Sequence, residues 1–85
     1  MKAQTGETKA QEFIAEAQAL ADEGRNWGNK REKFVVVIKR IQVDPDNLRL
    51  SDVEEAMGLL SYATMTAENN WKQIELLRRV RSELT

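Results

Sequence analysis

Carboxylates are the reactive groups that this sequence offers in pairs. Glu12 and Glu16 stand one helical turn apart, and Glu54 and Glu55 are adjacent. Two carboxyl groups divide acid and base work only when a cleft pushes their pKa values apart. On an exposed helix surface the same pairs are ordinary solvated charge. The chain contains no histidine and no cysteine. That removes the commonest general base, imidazole and thiolate metal ligands, disulfides, and the nucleophile–base pairings of triad and Cys–His catalysis. Gly6, Gly24, Gly28 and Gly58 are scattered, so no glycine-rich loop is present to cradle a phosphate. The nearest approach to a metal site begins at Asp44, with Asp46, Asp52 and Glu55 falling at the third, ninth and twelfth positions of a calcium loop. Arg49, however, stands where that loop requires glycine, and Leu48 offers no side-chain oxygen where one is needed. A turn followed by a helix start explains the same residues. The expectation is a non-enzymatic chain with no metal, no cofactor and no small-molecule substrate.

Composition sets the scale on which any other function must operate. Eighty-five residues make one domain, residues 1–85, near the lower limit for a single unstapled core. The longest apolar run, Phe34 to Ile38, is far short of the roughly 20 residues a membrane helix needs. Met1 to Lys9 lacks the apolar centre of a signal peptide. A soluble, cytoplasmic protein is expected, with no membrane partner.

The elements that must position any functional side chain are helical. The first seven residues are polar and expected to be disordered. Thr8 with Gln11 offers a capping box, and Ala10, Phe13, Ile14, Ala17, Leu20 and Ala21 follow at helical spacing. This predicts a helix over about 9–23, closed by Gly24 as a left-handed cap. Asn29 with Glu32 opens a second helix over about 30–42, in which Phe34, Val37, Ile38 and Ile41 share a face. The β-branched run Val35 to Ile38 would suit a strand, but the segment is long for one and no other stretch could pair with it. Val43 to Asn47 reads as a proline turn. From Asp52 to Leu84 one long helix is expected, capped by Ser51 with Glu54. Its stripe comprises Val53, Met57, Leu60, Thr64, Ala67, Trp71, Ile74, Leu77, Val80 and Leu84. Gly58 and the polar stretch near 64–69 are its weak points, where it can bend or break, and Thr66 could cap a separate last helix. The fold class predicted is therefore all-α, a small domain of about three helices with a long C-terminal one.

Charge comes in blocks. Glu7 to Glu23 nets −4, Arg25 to Arg40 nets +5, Asp44 to Glu55 nets −4, and Lys72 to Arg81 nets +3. Blocks of alternating sign complement one another if neighbouring helices pack antiparallel. The remaining signal is apolar surface out of place, because Ala56 to Ala67 carries no charge. Leu59, Tyr62 and Met65 lie off the stripe, on a flank that an amphipathic helix normally gives to polar groups. With Thr66 beside them they are the candidate protein-binding residues, for a homodimer or another protein. Trp71, on the stripe itself, is assigned to the core. The functional expectation is a non-catalytic interaction module: an adaptor, chaperone, inhibitor or assembly subunit.

Two alternatives carry a resemblance. Lys30, Arg31, Lys33, Lys39 and Arg40 are candidate nucleic-acid contacts, and with a strand at 34–43 the order of elements would resemble a ribbon-helix-helix repressor dimer. That resemblance implies paired strands in the major groove, against which stands an acidic pI of about 5.5. The Pro45-Asp46 turn, leading into a long helix with a basic end, is similar to the needle subunits of bacterial type III secretion. That likeness implies a subunit of a helical filament. In those subunits the first helix runs unbroken into the turn, whereas here Asn26-Trp27-Gly28 interrupts it.

Overall fold

The computed structural model describes residues 5–85, with side chains from Lys9 onward. Residues 1–4, part of the segment expected to be disordered, lie outside the described residues; Thr5 to Glu7 instead form the first turn of a helix. Among the described residues four helices follow one another: α1 (Thr5–Asp22), α2 (Lys30–Val43), α3 (Leu50–Leu60) and α4 (Ala67–Leu84). A single 3-10 turn at Pro45–Asn47 joins α2 to α3 and folds back against α1. The chain is all-α, and no strand occurs among the described residues.

The first two helices bury the faces their periodicity predicts. Ala10, Phe13, Ile14, Ala17, Leu20 and Ala21 are buried on α1, and Phe34, Val37, Ile38 and Ile41 on α2. The β-branched run is helical, with Val35 and Val36 turned outward. Core burial of the second face, worth roughly 1.5–3 kcal/mol per large side chain, outweighs the small helix penalty of valine. No strand remains at 34–43 to support the ribbon-helix-helix likeness. Trp27, in the connection between α1 and α2, packs its ring on Phe34 at a centroid distance of 5.5 Å.

The C-terminal helix expected over Asp52 to Leu84 is broken near the polar stretch that marks its weak point, which leaves α4 as the long last helix. The chain leaves helical geometry after Leu60 and resumes it at Ala67. At the end of α3, Tyr62 N–H bonds to Leu59 C=O and Ala63 N–H to Leu60 C=O, the tightened bonding of a terminating helix. Ser61 Oγ donates to the Gly58 carbonyl at 2.6 Å. Thr66 then caps α4, its Oγ1 accepting from Asn69 N–H at 3.0 Å. What holds the break open is tertiary. Arg25 and Thr64 exchange backbone hydrogen bonds at 3.1 and 2.7 Å, pairing the α1–α2 connection with the α3–α4 connection. The unbroken helix behind the needle-subunit likeness is thereby lost.

Several predicted caps also change. Thr8 lies inside α1, Asn29 makes no side-chain cap bond, and α3 starts ahead of Ser51 with Arg49 at its cap position. Gly24 is not a left-handed cap; positive φ falls at Asn26 (60°) and Gly28 (55°). Gly24 is needed for closeness instead. A Cβ there would sit 2.9 Å from Ala63 Cβ and 2.6 Å from Met65 Cε.

Helix packing closes a ring in which α1 meets α2, α2 meets α3, α3 meets α4, and α4 returns to α1. The pairs run antiparallel, as the charge blocks anticipate. Arg40 on α2 binds Asp52 and Glu55 on α3, both at 3.0 Å. Arg81 on α4 binds Glu54 on α3 at 3.1 Å, and Arg79 on α4 binds Glu16 on α1. Acidic and basic blocks thus pair across three of the four seams.

Candidate protein-docking face

The connector between α3 and α4 resets the phase of the last helix. A stripe counted at about 100° per residue from Val53 holds only while the helix continues. After six non-helical residues, the face of α4 turned to the core is Asn69, Gln73, Leu76 and Val80. Two of these four are polar, and both are hydrogen-bonded. Asn69 is 2% exposed; its Nδ2 donates to the Leu20 carbonyl at 3.2 Å and to Glu23 Oε1 at 2.7 Å. Gln73 Nε2 donates to Asn69 Oδ1 at 2.8 Å. Their ladder locks the start of α4 to the end of α1, satisfying a carbonyl of α1's last turn. Among the described residues no buried side-chain nitrogen or oxygen lacks a partner.

With polar groups on the inner face, large apolar groups of the same helix are displaced outward. Trp71 is 56% exposed and Ile74 54%. This corrects the assignment of Trp71 to the core. Beside Ile74 runs an open groove of about 380 Å³ between α3 and α4. Met57, Gly58 and Leu77 give it apolar walls, and the Glu54–Arg81 ion pair bridges one end. Gly58 has open space where a Cβ would stand, and this widens the groove.

The residues singled out in the sequence do not assemble into one helical flank, because only Leu59 is on a helix. Leu59 and Met65 are half-buried against the core, the latter over Gly24. Thr66 is the exposed cap of α4. Tyr62 is exposed, with Lys30 Nζ 4.8 Å from its ring centroid, a cation–π geometry. The basic set is likewise divided. Arg40 is committed to Asp52 and Glu55, whose side-chain hydrogen bonds hold its guanidinium above the ordinary arginine value. Glu16 raises that of Arg79 in the same way. Lys30 covers Tyr62, while Arg31, Lys33 and Lys39 are exposed on α2. Asp52, the ninth position of the calcium-like loop, is bound by Arg40.

Trp71 and Ile74 were hidden from sequence reasoning by the assumption of a continuous helix. The signal that could have revealed them was Asn69 and Gln73 at helical spacing directly after a capping threonine. No protein-family model, curated protein or solved structure matches this chain. No helix among the described residues is long and apolar enough to cross a membrane.

Proposed function

We propose that this protein is a non-catalytic interaction module that docks a protein through the outer face of α4 and the adjoining α3–α4 groove. The observation that carries this reading is the inversion on α4. Amides occupy its inner face while an indole and an isoleucine stand in water. Leaving each of these side chains about half exposed forgoes roughly 1 kcal/mol or more of burial apiece, and Trp is a residue type favoured at interface centres. The groove beside them supplies the concavity that a flat apolar patch lacks. Tyr62, and through it Lys30, remains a candidate for the rim of the contact, whereas Leu59 and Met65 serve the monomer.

A photo-reactive amino acid placed at Ile74 tests the reading in cells. A discrete protein adduct is expected at that position. A diffuse smear, or no adduct beyond that seen at exposed Glu32 on α2, would overturn it.

A further inference from the structure

We infer that the protein docked on α4 is a second copy of this chain, held by antiparallel pairing of α4 with α4 about a two-fold axis. The inference rests on the docking role proposed above and names its occupant.

The first ground is spacing. Ala67, Trp71, Ile74, Arg78 and Arg81 are all exposed, and they follow one another at alternating steps of four and three residues. That alternation draws a seam along one side of a helix, of the kind that a second helix fills with its own side chains. Trp71 and Ile74 occupy its middle.

The second ground is charge. Flanking the seam, the first turn of α4 carries Glu68, and the seam itself carries Arg78 and Arg81 in later turns. Parallel pairing would stack Glu68 on its own copy and Arg78 on its own copy. Antiparallel pairing instead lays Trp71 over Ile74 of the second copy and sets Glu68 beside Arg78 of the second copy. Because the contact is isologous, each of these meetings occurs twice. The ion pairs that Glu68 and Arg78 make within the helix, with Lys72 and Glu75, are long at 3.7 Å and exposed. Such pairs hold little energy and leave the charges available. Antiparallel helices also set opposite dipole ends beside each other. A net charge of −1 puts no strong long-range repulsion between copies.

The third ground is shape. Trp71 of the second copy, lying over Ile74, reaches the α3–α4 groove that Ile74 borders. A groove of about 380 Å³ between Met57 and Leu77 has room for its indole. Each copy would thus place its aromatic anchor in the other's groove, the paired hot-spot arrangement found at interface centres.

Sedimentation equilibrium provides the test. The full chain is expected to show the mass of two chains at high concentration and to dissociate on dilution. Ile74→Asp should be monomeric with undiminished helix content by circular dichroism, since the side chain it replaces is half exposed. Glu68→Arg alone and Arg78→Glu alone should each weaken the dimer by about tenfold, and the two combined in one chain should restore it. In a parallel dimer the single reversals exchange one like-charge contact for another and change nothing. Reversals without effect would therefore overturn the antiparallel arrangement. A wild type that stays monomeric would overturn the second copy altogether. If it stays monomeric while position 74 still crosslinks a different protein, the docking role stands and the homodimer falls.

Discussion

Glycine and asparagine, neither of them a core-forming residue by reputation, set the positions of the connections. Gly24 lets the α1–α2 connection close on Ala63 and Met65, so Gly24→Ala should destabilise the fold by about 1–3 kcal/mol, the usual penalty for overpacking. Met65 can swing its terminal methyl aside, but Ala63 Cβ moves only with its backbone. Gly58 makes the opposite case. It lies inside α3 with open space around it, so Gly58→Ala should stabilise by about 0.5–1 kcal/mol through helix propensity. Urea denaturation of the two variants reads both signs. Asn69 is the third such position. Asn69→Ala would leave Gln73 Nε2 without its buried acceptor and withdraw the donor held by the Leu20 carbonyl. A loss of about 1–3 kcal/mol is expected in the same measurement, whereas an unchanged midpoint would show that water replaces the amide freely.

At the scale of elements, the break between α3 and α4 decides which face of α4 meets the core. Thr66 has extended backbone angles, φ −71° and ψ 161°, and Ala67 opens the helix after it. These are the angles a residue ahead of proline prefers, and the first helical position tolerates proline because its N–H has no intrahelical partner. Ala67→Pro should accordingly leave stability within about 1 kcal/mol of wild type. In an unbroken helix from Asp52 to Leu84, the same substitution would cost about 3 kcal/mol, so thermal denaturation separates the two geometries. The helices that were legible in the sequence are those whose reasons are local. Phe13, Ile14 and Ala17 on α1, and Phe34, Val37 and Ile41 on α2, repeat at a spacing that needs no knowledge of the rest of the chain. Thr66 was legible as a cap for the same reason. The break itself was only half legible, as a polar stretch, because what fixes it is Arg25 pairing with Thr64 across 39 positions of sequence. A stripe continued through the break puts Trp71 and Ile74 on the inner face, whereas Val80 is buried as that stripe has it. The candidate site of that reading, Leu59, Tyr62, Met65 and Thr66, is divided: Leu59 and Met65 pack against the core, while Asn69 and Gln73 take the inner face of α4.

In the molecule as a whole, a ring of four helices is joined by ion pairs across three of its four seams, and α4 closes it. Arg40 and Arg79 have raised pKa values. A raised value makes their stabilisation complete below the unfolded arginine pKa and lost only above the folded one. Near neutral pH these guanidinium groups therefore do not titrate, and added salt is what weakens their pairs. Apart from Arg81, which binds Glu54, the outer face of α4 takes no part in closing the ring. That is the ground for reading it as an interface, and the tryptophans allow a direct measurement. Trp27 is 5% exposed and Trp71 is 56% exposed. With Trp27→Phe, which keeps a ring against Phe34, the emission of the protein reports Trp71 alone. If a second copy covers α4, that emission shifts to the blue as concentration rises, and Ile74→Asp abolishes the shift. Emission that stays at the wavelength of a water-exposed indole at every concentration would contradict the account.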